Sequence, residues 1–318
     1  MRIALVTPAA ASSRSGNRVT ANRWAQLLRS LGHDVTVSVA LPRRPHDLLL
    51  AIHAWRSAAA VRAFRAARPG APIVVLLAGT DIYKFQHSHP EPTLATMAAA
   101  DALVGLHDNV YRDIPSEFAG RLTVIKQSCA LPSVRQPRFK RWFQVTVLAH
   151  LRDEKDPLRA AYAARLVPSA SRLRITHMGG AHSPEWQARA NREAAANPRF
   201  TLRGEVPRAR ALRQLQRSHA LVISSVCEGG ANVVTEASAL GTAVIASDIS
   251  GNRGLLGNAH PAYFPVGDEH ALAQLLWRCE HEPDFLQAVQ ASGHELAPAL
   301  SPDAERDAWR ALLASLTG

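Results

Sequence analysis

The feature of this 318-residue sequence that most constrains its fold is the regular alternation of short apolar runs with longer helical patterns. Short runs rich in β-branched residues indicate buried strands, and strands separated by helices are typical of parallel sheets with helices on both faces. Two such series follow one another along the chain. The predicted strands are Arg2–Thr7, Asp34–Val39, Leu48–Ile52, Pro72–Leu77, Ala102–Leu106 and Leu122–Lys126, then Gln144–Ala149, Leu173–Met178, Phe200–Arg203, Ala220–Ser224, Ala243–Ala246 and Ala262–Pro265.

The two series imply two domains. Helices are predicted between the strands, for example Asn17–Leu31, whose apolar residues recur on one face at helical spacing. The polar stretch Pro132–Arg141 has two prolines and no periodicity, which makes it the best linker candidate. We therefore expect an α/β chain of two doubly wound Rossmann-like domains that face a cleft, in residues 1–137 and 138–300, followed by a helix in residues 301–318. Ligands of such sheets bind beyond the carboxyl ends of the strands.

The charge balance indicates an anionic partner. The chain has 37 Lys and Arg residues against 26 Asp and Glu, a net charge of +11, and a basic surface attracts nucleic acids, membranes or phosphorylated small molecules. We expect no nucleic acid, because the aromatic residues are not interleaved with arginine in any RNA-binding motif. No run approaches the roughly 18 apolar residues of a membrane span, and three widely spaced cysteines favour neither disulfides nor a zinc site. We expect a cytoplasmic protein without a signal peptide or stable membrane insertion.

The strongest candidate site lies in the segment Leu221–Gly251. A predicted strand ends before Glu228, two glycines follow, a helix is predicted to begin near Ala231, and Glu236 comes eight residues after Glu228. Glycines allow backbone N–H groups to approach a ligand closely, and a helix N-terminus attracts a diphosphate. Carboxylates are good acceptors for sugar hydroxyls. The alternative is a plain strand–helix turn with a solvated Glu236.

This segment resembles the E-x7-E signature of glycosyltransferase family 4, whose members have the GT-B fold and retain the anomeric configuration without a metal. Ala243 stands where the family has proline. The resemblance implies that Glu236 binds the nucleotide ribose, that Glu228 approaches the donor sugar, and that no cofactor is needed. It also implies a donor site at the turn and the first backbone amides of the helix. These donor residues are Gly229, Gly230, Ala231, Asn232, Val233 and Val234. The absence of any Asp-x-Asp motif agrees with metal independence.

The segment Leu148–Pro157 is similar to a second family motif, the turn after the first strand of the nucleotide-binding domain. The resemblance assigns Lys155 to neutralising the departing diphosphate. His150 stands in place of the family's arginine, and Ala149 and Asp156 replace its two glycines. We expect His150 to contribute to donor binding and Arg152 to supply the second cation, since its guanidinium matches phosphate oxygens. A solvated charged turn is the alternative for these residues.

The first domain carries a third candidate region, which in GT-B enzymes faces the acceptor and the donor phosphates. It follows strand one and opens the first helix, with Asn17 as the expected N-cap. We expect Arg14, Gly16, Asn17, Arg18 and Lys126 to bind an anion or the acceptor. Asp81 is interpreted either as a structural cap or as a carboxylate that orients the acceptor. The GT-B architecture also implies that the last helix crosses back to the first domain.

Several segments resemble one subgroup more closely, the selenosugar synthases of the selenoneine pathway. They are Gly16–His33, Ala78–Tyr83, His150–Pro157 and Ser224–Ala237. This resemblance implies a UDP-sugar donor, UDP-N-acetylglucosamine, and selenophosphate as a small anionic acceptor, with a 1-selenosugar as product. Two alternatives stay open. One is a family 4 enzyme with a hydroxyl acceptor such as a saccharide, polyol or lipid, and the other is a non-catalytic protein that binds a nucleotide sugar or nucleic acid.

Overall fold

The computed structural model describes residues 1–13, 15–130, 134 and 136–317. The chain divides into two compact units. The first unit comprises Met1–Ser128, Glu228–Asn232 and Ser301–Gly318, and the second comprises Cys129–Cys227 and Val233–Leu300. The segment Glu228–Asn232, called the glycine segment below, therefore belongs to the first unit although the sequence on both sides of it belongs to the second.

Each unit contains one six-stranded parallel sheet. In the first unit the strand order is β2-β1-β3-β4-β5-β6, with β1 Arg2–Val6, β2 Asp34–Ser38, β3 Leu48–Ile52, β4 Ile73–Leu76, β5 Ala102–Gly105 and β6 Leu122–Val124. In the second unit the order is β12-β11-β10-β7-β8-β9, with β7 Phe143–Leu148, β8 Leu173–Met178, β9 Phe200–Leu202, β10 Ala220–Ile223, β11 Ala243–Ser247 and β12 Tyr263–Phe264. All twelve predicted strands are thus confirmed, each end within two residues.

Helices connect the strands. In chain order they are α1 Gly16–Ser30, α2 Ala58–Ala67, α3 Gln86–Ser88, α4 Pro90–Ala99, α5 Val110–Asp113, α6 Arg159–Leu166, α7 Pro184–Ala196, α8 Arg208–Arg217, α9 Asn232–Leu240, α10 Ser250–Leu256, α11 Glu269–His281, α12 Pro283–His294 and α13 Pro302–Thr317. A π-helical turn at Asp81–Phe85 and 3-10 turns at Ser116–Arg121, Asp153–Lys155 and Ala297–Leu300 complete the regular elements. Within the part of the chain that is described, no helix has the length and apolarity needed to cross a membrane.

The first helix shows how sequence becomes packing. Its buried stripe includes Trp24, whose ring meets that of Trp309 from α13 edge to face at 4.6 Å between centroids. The expected N-cap was wrong: Ser15, not Asn17, precedes the helix, because Ser15 has an extended backbone and its carbonyl accepts the backbone N–H groups of Arg18 and Val19. Helices α1 and α13, from opposite ends of the chain, therefore pack in the same hydrophobic core.

Strand register places the loops that matter. In the first sheet Ile52 pairs with Leu76 and Leu76 with Val104, so the loops after β3, β4 and β5 leave the same edge. In the second sheet Ala220 pairs with both Val145 and Ala243, so the loops after β7, β10 and β11 also leave one edge. These carboxyl edges are where parallel α/β sheets hold ligands.

Candidate functional site

The glycine segment packs backbone to backbone on the first unit. A Cβ atom on Gly229 would lie 2.4 Å from the nitrogen of Gly79, and one on Gly79 would lie 2.6 Å from the nitrogen of Gly229. A Cβ atom on Gly230, whose φ is +144°, would lie 2.3 Å from Cβ of Leu106. Glycine is therefore required at all three positions, since any side chain would separate the segment from the loops after β4 and β5.

Helix α9 begins at the end of the glycine segment. Its first residue is Asn232, one residue later than expected, so Ala231 directly precedes the helix. The first N–H groups of any helix have no acceptor within it and carry a partial positive charge. The predicted donor residues Asn232, Val233 and Val234 form this first turn.

Glu236 is held by a residue that sequence reasoning missed. Its Oε1 atom accepts hydrogen bonds from Nη2 of Arg208 at 2.6 Å and from Nε at 3.1 Å. Glu236 is buried on α9, whereas Arg208 is the exposed first residue of α8. The two residues are 28 positions apart, and no local pattern links them, so only the fold reveals the pair.

The turn after β7 is tied to the loop after β10 within the second unit. The backbone N–H of Val226 donates to the carbonyl of Glu154 at 3.0 Å, and Oγ of Ser224 donates to the carbonyl of Asp156 at 2.7 Å. Asp156 has a φ of +39°, the left-handed conformation that favours glycine and that Asp tolerates better than most residues. The turn thus keeps a glycine-like backbone without glycine. Lys155 is half-buried in this turn.

His150 and Arg152 differ in the charge they can offer. Burial lowers the pKa of His150, and the charges of His182 and Arg152 lower it further, so the imidazole is neutral at neutral pH. Its Nδ1 atom is buried without a hydrogen-bond partner among the residues that the structure describes. Arg152 is partly exposed, with Nε 3.9 Å from a carboxylate oxygen of Glu154. Arg152 and Lys155, rather than His150, are the cations of this turn.

Asp81 has a structural role. One carboxylate oxygen accepts the backbone N–H groups of Gly79 at 2.7 Å and Ile82 at 3.2 Å, and the other accepts those of Ala54 at 2.9 Å and Ala78 at 3.0 Å. The side chain is fully buried. Four donors fill the acceptor capacity of a carboxylate, so of the two interpretations of Asp81 the structure favours the structural cap over the acceptor-binding role.

Two further histidines of the first unit, His53 and His107, are buried. His53 follows β3 with a φ of +78°, a strained conformation for a residue with a side chain, and its Nε2 atom lies 2.9 Å from Oγ1 of Thr80. His107 follows β5, and its Nε2 atom lies 3.1 Å from the hydroxyl of Tyr83. Burial lowers the pKa of both histidines, so they are neutral hydrogen-bonding groups.

The predicted anion-binding residues of the first unit are not drawn into one cluster by any contact described. Arg14 lies outside the described residues. Gly16 and Asn17 open α1, and Arg18 has a buried Nε without a hydrogen-bond partner in the described ranges. Lys126 donates from Nζ to a carboxylate oxygen of Asp108 at 2.7 Å, so its charge is already partly compensated. The described residues contain no group of three or more His, Cys, Asp or Glu arranged to hold a metal ion.

Residues 144–280 match the family model described as glycosyl transferases group 1. The match covers most of the second unit, including the turn after β7 and the start of α9, and confirms the predicted relationship to glycosyltransferases over that stretch. No curated protein matches the sequence.

Solved structures match over the whole chain. Sucrose-phosphate synthase from Thermosynechococcus elongatus is 17% identical with a TM-score of 0.79, and the match covers 99% of both chains. Anabaena Alr3699/HepE, solved with UDP and glucose, is 13% identical with a TM-score of 0.77, covering 99% of this chain and 100% of that chain. An E. coli structure described as trehalose-6-phosphate bound with UDP-2-fluoro glucose is 11% identical with a TM-score of 0.76, covering 99% of both. These likenesses confirm the predicted GT-B fold.

Proposed function

We propose that the protein is a glycosyltransferase that takes its sugar from a UDP-sugar, and that its acceptor is selenophosphate. The observation that carries the proposal is the arrangement of Glu228 and Glu236, two largely buried carboxylates on either side of the glycine turn and the first turn of α9. Carboxylate oxygens accept several hydrogen bonds each, and the ribose and sugar hydroxyls of a nucleotide sugar are suitable donors to them. The UDP complex of the structurally similar Alr3699/HepE supports this ligand class.

The charged groups near the two glutamates suggest how the donor is bound. Glu236 accepts from the ribose hydroxyls while Arg208 anchors one of its oxygens. The first N–H groups of α9 meet the diphosphate, and Lys155 and Arg152 stabilise the negative charge that develops on UDP as the C1–O bond breaks. Preorganised donors and cations of this kind lower the barrier by several kcal/mol. Glu228 holds the sugar.

The choice of acceptor follows from the chemistry that the reaction needs. The selenium of selenophosphate already carries negative charge, so it attacks C1 without a general base. The C–Se bond forms, the C1–O bond breaks, and the electron pair leaves on the β-phosphate oxygen of UDP. An acceptor anion site replaces the base, for which Gly16, Asn17 and Arg18 at the start of α1 are the described candidates. The close resemblance of four segments to selenosugar synthases supports this acceptor. A saccharide, polyol or lipid hydroxyl is the alternative.

The test is a direct assay of the purified protein with UDP-N-acetylglucosamine, with and without selenophosphate, that follows UDP release and product mass. We expect selenium-dependent UDP release and a product with the mass of the selenosugar. UDP release with hydroxyl acceptors and indifference to selenophosphate would favour the alternative acceptor, and no release with any acceptor would contradict the proposed activity.

Site variants sharpen this test. We expect Glu236→Ala and Lys155→Ala each to lower kcat by about 100-fold or more, which effectively abolishes turnover, while the fold survives. Lys140→Ala is the matched control, because Lys140 is an exposed lysine far from the turn in sequence. Rates near that of the wild type for both site variants would contradict the assignment of the site.

A further inference from the structure

A largely buried hydrogen-bond network in the first unit contacts the glycine segment at Gly230 and Asn232. Its centre is Arg23 of α1, whose three nitrogens meet three different groups. Nη1 donates to Oδ1 of Asn232 at 2.9 Å, Nη2 donates to Oε1 of Gln127, and Nε donates to both carboxylate oxygens of Glu305 at 3.1 and 3.2 Å. One guanidinium therefore connects the first helix, the last helix and the start of α9.

The counter-charge of Arg23 comes from the far end of the chain. Glu305 lies on α13 with a fully buried side chain, and it also accepts hydrogen bonds from Nε1 of Trp24 at 2.7 Å and from the backbone N–H of Ser128 at 3.0 Å. These donors come from different directions, so the buried carboxylate satisfies all of them in only one orientation. Glu305 thus fixes the orientation of the Arg23 guanidinium.

The orientation of Arg23 then decides two amide side chains. A guanidinium has only donors, so Asn232 must turn Oδ1 toward it and direct its Nδ2 donors away. Gln127 accepts on Oε1 from Arg23 and from the hydroxyl of Thr20, which leaves its Nε2 to donate to the carbonyl of Gly230 at 3.1 Å. The network therefore holds the glycine segment at two points. At both of them, the carbonyl of Gly230 and Oδ1 of Asn232, the glycine segment supplies the acceptor and the network supplies the donor.

We propose that Arg23, Gln127 and Glu305 are positioning residues for the reaction proposed above, and that α13 is part of the support of the donor site. The inference rests on the proposed function. Close packing on Gly79 and Leu106 holds the two glycines. The network adds hydrogen bonds at Gly230 and Asn232, where the segment leads into α9. Because a displacement of about 1 Å in a reacting group can cost about 100-fold in rate, the network affects the turnover number as well as the stability of the fold.

The test compares two conservative variants with a control on the same helix. Arg23→Lys keeps the charge beside Glu305 but cannot reach three acceptors, and Gln127→Met keeps the volume but loses the bond to Gly230. Arg29→Lys is the control, since Arg29 of α1 donates to the carbonyl of Val35, away from the network. The measurements are kcat and KM for the UDP-sugar, the Kd for UDP, and hydrogen exchange of the backbone amides of residues 228–234.

We expect both variants to lower kcat by about 10- to 100-fold with a change in UDP affinity below about threefold, because Arg208 and Glu236 lie outside the network. Exchange of the 228–234 amides is expected to accelerate by about tenfold or more, while exchange elsewhere and the behaviour of Arg29→Lys match the wild type. A purely structural role would instead accelerate exchange throughout the first unit and leave kcat per folded molecule unchanged.

Unchanged exchange at 228–234 in both network variants overturns the positioning role, whatever the activity. Wild-type kcat in both variants overturns it as well. A different result identifies failure of the proposed function: the wild type then neither binds UDP nor turns over a UDP-sugar. In that case the catalytic part of this inference falls with it, and the exchange measurement still decides whether the network holds the glycine segment.

Discussion

Two arginine–glutamate pairs hold the stretch that contains both signature glutamates, and they are built differently. In the first unit Arg23 and Glu305 are 18% and 0% exposed at the side chain, and further buried donors surround the carboxylate. In the second unit Arg208 is 54% exposed and Glu236 is 9% exposed. An ion pair that loses one partner is costly when the remaining charge is buried, whereas exposed pairs contribute little to stability. The comparison separates a pair that supports the fold and the glycine segment from a pair that, in the proposed function, serves a ligand.

The largest expected effect is on the buried pair. Glu305→Ala leaves the Arg23 guanidinium without its counter-charge, and we expect a loss of about 3–5 kcal/mol in the free energy of unfolding. Urea unfolding of the wild type and the variant measures it. Asp307→Ala on the same helix is the control, because Asp307 is exposed and its removal should change stability by less than about 0.5 kcal/mol. Equal effects of the two substitutions would remove the distinction between the pairs.

The second unit also contains a buried ionisable side chain, that of His177, which offers a contrast with the buried ion pair of the first unit. His177 is fully buried, and neither ring nitrogen has a hydrogen-bond partner among the residues described. Burial lowers its pKa to about 4, so the unfolded chain takes up a proton near pH 6.5 and the folded chain only near pH 4. Stability therefore falls as the pH is lowered through this window, by on the order of 3 kcal/mol.

The variant His177→Phe isolates this contribution from that of other groups. We expect urea unfolding at pH 7, 5 and 4 to show a smaller loss of stability in acid for the variant than for the wild type. A parallel pH dependence of the two proteins would mean that His177 is not the group responsible.

A smaller effect is expected from crowding the glycine segment. In Gly229→Ala the new methyl group would lie 2.4 Å from the backbone nitrogen of Gly79, which cannot yield as a flexible side chain would. We expect a loss of about 1–3 kcal/mol, measured by thermal unfolding. Gly120→Ala serves as the control, since no atom lies within 4 Å of its added Cβ. A Gly229→Ala variant as stable as this control would contradict the close backbone packing.

The smallest expected change in stability concerns the exposed pair. Arg208→Ala removes a partly solvated partner of Glu236, so we expect a stability change below about 1 kcal/mol together with weaker UDP binding, because Glu236 loses its anchor. Arg210→Ala on the same helix is the matched control, since Arg210 is an exposed arginine. If Arg208→Ala destabilises the protein as much as Glu305→Ala does, the two pairs do not differ in kind.

The sequence predicted the fold more completely than the site, for a physical reason. A buried parallel strand such as Leu48–Ile52 is a continuous apolar run, and such runs mark strands without reference to the rest of the chain. The pair of Arg23 and Glu305 joins residues 282 positions apart, and no local periodicity encodes such a contact. Local sequence patterns therefore nominate only those candidate site residues that are close in sequence, as Glu228 and Glu236 are.

The same rule applies to single residues whose role the sequence left open. Asp81 stands in a loop after a strand, where both a cap and a ligand-binding carboxylate are common, and only its four backbone donors decide between them. Asp156 stands where the motif that the sequence resembles has glycine, and it adopts a left-handed φ of +39°, which glycine favours. At both positions the residue type alone did not indicate the role, because that role depends on the geometry of the backbone.

The central claim is that Glu236 and the start of α9 form a binding site for a uridine nucleotide, and calorimetric titration with UDP tests it most directly. The account predicts that the wild type binds UDP and that Glu236→Ala binds it about 10- to 100-fold more weakly, the loss expected for hydrogen bonds to a charged group. Failure of the wild type to bind UDP, or equal affinity in the wild type and Glu236→Ala, would contradict it.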